Sequence, residues 1–164
     1  LAEDGESSVA IAAAGGVEAL VALARDGSEA QKEEAAGTLW NLSANHDNVA
    51  AIAAAGGIEV LVSLARDGSE AQKENAVGAL ANLAVNDDNS VAIAAADGIE
   101  VLVALARDGT ERQKEHAAGA LSNMIAAPAT REGVVEAYDP HPPRQVCTLL
   151  VLACVLTPRL HCAG

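Results

Sequence analysis

Gly15-Gly16 returns as Gly56-Gly57 and then as Asp97-Gly98, and Arg25-Asp26-Gly27 returns as Arg66-Asp67-Gly68 and Arg107-Asp108-Gly109, each at a step of 41 residues without slippage. A fixed period of about 20–50 residues marks a solenoid, in which each unit buries an apolar face that it cannot bury alone against its neighbours. Function is then expected along an extended surface made by successive units rather than in a deep pocket.

The second copy shows how one unit is built. Asn48–Ala55 reads as a short first helix closed by Gly56-Gly57. Ile58–Ala65 (IEVLVSLA) is apolar on most sides and reads as a buried second helix, with Glu59 in its first turn where a negative charge suits the helix dipole. Gly68 is expected to end it in a left-handed cap. Ser69 then opens a third helix over roughly 70–85, and Gln72 three residues on completes a capping box. The pairs Ser28/Gln31 and Thr110/Gln113 repeat that signal. Ala76, Ala79, Leu80 and Leu83 fall at helical spacing and predict one buried stripe.

With no Phe, one Trp and one Tyr, the core has to be built from Ala, Val, Ile and Leu, which suits slim helices in close contact. The net charge of −13 sits in residues 1–125, with 20 Asp/Glu against 7 Lys/Arg, while residues 126–164 carry 3 of each. That balance argues against binding to a phosphate backbone and favours basic partners, with solubility alone as the equal alternative. The three cysteines, Cys147, Cys154 and Cys162, lie outside the repeats, so a disulfide-free solenoid in a reducing compartment is expected, cytoplasmic with the nucleus as the other candidate. There is no P-loop, G-x-S-x-G, H-E-x-x-H or dinucleotide fingerprint, so no enzyme, catalytic residue or cofactor is expected.

The runs IAAAGGIEVLV, LARDGSEAQKE and GALANLA, in a unit of one short and two longer helices, resemble the armadillo repeat over residues 1 to about 125. The resemblance implies an all-α, right-handed α-solenoid with three complete armadillo repeats and partial units at both ends. The units are drawn as the end of a preceding repeat at 1–7, repeats at 8–48, 49–89 and 90–127, and a partial fourth repeat with a divergent tail at 128–164. It further implies that third helices line a concave groove where the Asn of G-A-L-x-N-L forms a ladder on the backbone of an extended peptide. The matching residues are Asn41, Asn82 and Asn123. A carboxamide both donates and accepts, so it pairs with any peptide unit; bonding to a neighbouring helix or to water is the alternative role.

Seven residues before the ladder stand Glu34, Asn75 and His116, and four after it stand Asn45, Asn86 and Ala127. Because residues 15–42 and 56–83 agree at 21 of 28 positions, variation in the 34/75/116 row is what side-chain selectivity on a common frame would look like, though drift at a solvated site explains it equally. Trp40, beside Asn41, is either an interface anchor or packing across a seam between units. Glu33, Glu74 and Glu115 lie at the groove edge, as ligand contacts or as a solvated face, and His46 is expected in an exposed loop. Gly37, Gly78 and Gly119 stand where the nuclear-import adaptor branch of the family places a Trp, so its lysine-clamping pockets are missing. Three copies of a mid-helix Gly suggest close helix approach or a widened groove.

The expected function is a non-catalytic protein-interaction scaffold holding an extended basic peptide, with no nucleic acid, membrane, metal or small-molecule substrate. The alternative is the substrate-recruiting segment of a larger ubiquitin-ligase-type (U-box) protein. Thr130–Ala137 resembles the first helix of a fourth repeat, with Val134 in the register of Ile93, before three prolines between 140 and 143 break the pattern. The 12 apolar residues 146–157 fall short of a membrane span and are expected to cap the last repeat. The spacings of the three cysteines with His141 and His161 match no common zinc site.

Overall fold

In a computed structural model of the chain, residues 15–137 are described. They form helices α1 (Gly16–Asp26), α2 (Glu29–Ser43), α3 (His46–Ala54), α4 (Gly57–Asp67), α5 (Glu70–Leu83), α6 (Asp87–Ala95), α7 (Gly98–Asp108), α8 (Glu111–Ala126) and α9 (Arg131–Ala137). No strand occurs among the described residues. The short helices are α3, α6 and α9, the second helices α1, α4 and α7, and the third helices α2, α5 and α8. The molecule is thus an all-α repeat solenoid.

Each unit turns at a Gly-Gly or Asp-Gly pair, and the two positions do different jobs. Gly15, Gly56 and Asp97 have φ of 76°, 75° and 60°, the left-handed region that favours glycine. The following residue is held small by sterics instead. A Cβ on Gly57 would lie 2.7 Å from Ile52 O, and one on Gly98 2.5 Å from the Ile93 side chain. This close approach lets the short helix meet the second at 85° in one unit and 88° in the next.

The third helices begin as the sequence predicts. Ser28, Ser69 and Thr110 each form a complete capping box with the glutamine three residues on. The glycines before them do not adopt the expected left-handed cap. Gly27, Gly68 and Gly109 are extended, with φ from −71° to −74°. Their smallness serves the tight turn, since a Cβ on any of the three would lie 2.5 Å from the carbonyl oxygen four residues earlier.

The short helices start earlier than the sequence suggests. Asn45 and Asn86 are their N-caps, accepting from the backbone N–H of Asp47 and Asn89. His46 is therefore the exposed first residue of α3 rather than part of a loop, and the unit edges drawn at 48/49 and 89/90 fall inside α3 and α6. The side chains of Asn48, Asn89 and Thr130, again 41 residues apart, each bond the carbonyl six residues back, tying the end of a third helix to the next short helix. Thr130 keeps this bond at the start of the fourth unit, and Val134 is fully buried in the register of Ile52 and Ile93.

The core is one apolar cluster running through all units. In the middle third helix, Ala76, Ala79, Leu80 and Leu83 are 0% exposed, as the stripe predicts, and Val77 joins them. A third helix flanked on both sides has two lateral faces to bury, which a single-unit pattern does not show. The expectations for residues 1–14, for the apolar tail and for the cysteine and histidine positions beyond 137 lie outside the described residues.

Candidate functional site

The third helices α2, α5 and α8 lie side by side, and the residues that join them decide which of their side chains remain available. Gln72 and Gln113 are the most buried of the polar side chains that join them. Each is about 1% exposed, and each uses both ends of its carboxamide. The Oε1 atoms accept from the backbone N–H of Ser69 and Thr110, completing the caps. Gln72 Nε2 crosses to the preceding unit and donates to Glu29 O at 2.9 Å and Glu29 Oε2 at 3.0 Å. Gln113 repeats this on Glu70 at 3.1 and 3.0 Å. The bond from Gln72, aided by Lys32 at 3.2 Å, holds the Glu29 carboxyl below its usual pKa. Sequence spacing found the cap but not the bridge, because the bridge exists only once two units are stacked.

The ladder asparagines occupy equivalent places on the three helices. Asn41 is exposed, and Asn82 and Asn123 are half-buried. Asn82 Nδ2 donates to Ser43 Oγ at 3.0 Å and Asn123 Nδ2 to Ala81 O at 3.2 Å, each on the preceding third helix. These bonds are the neighbour-helix role, and they also fix each carboxamide. Among the described residues no donor meets the Oδ1 of either, so a carbonyl-type acceptor stays available on the face.

The other candidate residues divide. Asn75 Nδ2 donates to Glu33 O at 3.2 Å, so it belongs to the seam between α2 and α5. Glu34 is exposed on α2. Trp40 packs across the seams, placing its indole over Gly78 and its ring centroid 5.0 Å from that of His116 at an interplanar angle of 77°. It therefore spans all three third helices. Asn45 and Asn86 do not extend the ladder face: α2 and α5 end at Ser43 and Leu83, so spacing by helical turns no longer applies, and both side chains cap the next helix. Ala127 likewise lies past the end of α8. At the edge, Glu74 is held by Arg112 at 3.1 Å, while Glu33 and Glu115 are exposed.

On the other side of the third-helix starts, clefts of about 430 and 230 Å³ recur one period apart, the larger lined by Arg66, Lys73, Glu100 and Asp108. Their charges are mixed and include none of the ladder residues. No group of acidic, His or Cys side chains suited to a metal occurs among the described residues, nor is any single helix there long and apolar enough to cross a membrane.

Residues 6–44 and 45–85 match the model of the Armadillo/beta-catenin-like repeat, and residues 70–124 match that of a HEAT-like repeat. A comparison with curated proteins finds no match. Among solved structures, an engineered protein of the Northeast Structural Genomics Consortium is 32% identical with a TM-score of 0.79, over 91% of this chain and 65% of that one. A second engineered protein from the same consortium is 32% identical at a TM-score of 0.80, and this chain covers 39% of it. A computationally designed armadillo repeat protein for modular peptide recognition is 28% identical with a TM-score of 0.80, covering 90% of this chain and 67% of that one. A designed armadillo repeat protein solved in complex with the peptide (KR)4 is 26% identical with a TM-score of 0.79, covering 91% and 67%. This chain therefore spans less than two thirds of the length of the first two of these structures. The 41-residue unit, the stacked third helices and the matching repeat model mark residues 6–85 as armadillo repeats.

Proposed function

We propose that this chain is a non-catalytic scaffold that holds an extended, basic peptide along its third-helix face, with Asn41, Asn82 and Asn123 pairing with the peptide backbone. The observation that carries this reading is the state of the ladder. Asn82 and Asn123 are oriented by bonds from Nδ2, and their acceptor oxygens have no donor among the described residues. A peptide N–H is the complement such an oxygen needs, whatever the peptide sequence. The designed relatives recorded with peptide recognition, one of them with (KR)4, support the class of ligand. The net charge of −13 supports a basic one. As part of a larger ubiquitin-ligase-type protein the same face would recruit a substrate, and a U-box in the upstream sequence would decide for that setting.

The test is Asn82→Ala. Removing one ladder amide is expected to weaken binding of a Lys/Arg-rich peptide about tenfold, the scale of one hydrogen bond, while far-UV circular dichroism stays unchanged. Equal affinity of wild type and variant across a basic-peptide array would count against the ladder.

A further inference from the structure

The three glycines four residues before the ladder asparagines are alike in sequence and different in surroundings. A Cβ on Gly37 would meet Asn75 Nδ2 at 3.3 Å, a tight approach to a seam side chain that a shift of a few tenths of an ångström would relieve. A Cβ on Gly78 would lie 2.6, 2.8 and 2.9 Å from Cε2, Nε1 and Cδ2 of Trp40. Three consecutive ring atoms at nearly one distance mean that the indole presents its face, so Gly78 is a floor cut for an aromatic ring. Over Gly119 nothing lies within 4 Å among the described residues. Ala81 stands there where Trp40 stands one period earlier, and it is too small to cover the floor.

Glycine inside a helix is less favourable than any residue but proline, and at Gly119 no described neighbour uses the room it leaves. The unit behind shows what fits that room. We infer that the floor over Gly119 receives an aromatic side chain of the bound peptide, seated as Trp40 is seated on Gly78. This rests on the peptide-binding reading above. Charge selects the sequence around that aromatic: Glu115, one turn before Gly119, is exposed and has no ion-pair partner among the described residues. The ligand is thus a basic peptide with an aromatic residue flanked by Lys or Arg, and Gly119 is the specificity position of the third unit.

The probes are fluorescein-labelled peptides of alternating Lys and Arg in which one residue is replaced by Trp or by Ala at successive positions, titrated by anisotropy against the full chain and its Gly119→Ala variant. At one register Trp should bind about tenfold tighter than Ala, as buried aromatic anchors do. Gly119→Ala should erase that gain, because its Cβ occupies the floor, and should raise the thermal midpoint. Absence of a Trp gain, or a gain that survives Gly119→Ala, overturns the seat but leaves the ladder standing. A midpoint lowered by Gly119→Ala would mean that residues 138–164 cover the floor, and a concentration-dependent dimer lost in the variant would put a second copy there; either overturns the proposal. If the unmodified Lys/Arg peptide fails to bind wild type, the peptide reading itself falls, and the seat with it.

Discussion

Asp97 and Gly98 show how two adjacent residues in one turn can be under opposite constraints. Asp97 holds a positive φ without any side-chain cap bond to offset it, and aspartate tolerates that region less well than glycine. Asp97→Gly is therefore expected to stabilise the protein by about 0.5–1 kcal/mol, read as a raised midpoint in thermal or urea unfolding. Gly98→Ala should do the reverse, by about 1–3 kcal/mol, because its Cβ would lie 2.7 Å from the Ile93 carbonyl oxygen as well as against that side chain. If Gly98→Ala unfolded at the wild-type midpoint, the close approach of short and second helices would not be what the glycine serves. Individual residues were legible where they answer to local chemistry, as Ser69 and Gln72 do. For Trp40 the sequence offered seam packing, which the structure bears out, beside an interface anchor, but not its partners, since Gly78 and His116 lie in the next two units and depend on how far the helices stand apart.

At the scale of the helix, the seam between units is a polar device set into an apolar interface. Gln31 is exposed and has only its capping contact among the described residues, whereas Gln72 and Gln113 are buried and cap and bridge at once. Gln31→Ala should then cost about 1 kcal/mol, like other cap losses. Gln72→Ala, which also strips buried backbone and carboxylate partners, should cost about 2–3 kcal/mol; equal losses at the two sites would refute the bridge. The seam also carries a pH signature. Glu29 is lowered chiefly by the bond from Gln72, so its contribution is present above the usual carboxylate range and is lost as pH falls through the lowered value. Acid unfolding of wild type should show this loss, and Gln72→Ala should diminish it, leaving the part that Lys32 supplies. Helix existence and order could be predicted because apolar spacing and capping pairs are local. The starts of α3 and α6 were missed because Asn45 and Asn86 look, by spacing, like extensions of the preceding helix, and only the observed helix ends reveal them as caps.

For the whole molecule, the period in sequence translates directly into a period in space, which is why the architecture could be inferred before any single contact. What the period could not convey is where copies with the same residue differ in circumstance, as Gly37, Gly78 and Gly119 do. Long-range charge is also a property of the whole. With −13 gathered over the repeats, affinity for a Lys/Arg peptide should fall by tenfold or more between about 50 and 200 mM salt, within which screening shortens the reach of exposed charges to about 10 Å. An affinity indifferent to salt would mean that the acidic surface serves something other than ligand attraction.

The glutamine that fastens the second unit to the first fastens the third to the second through the same atoms at nearly the same lengths. A 41-residue block spliced in or cut out at that junction would find its partners already waiting. Gene duplication can therefore lengthen or shorten this protein in whole steps, and the span of ligand it reaches would grow or shrink by a constant increment with each one.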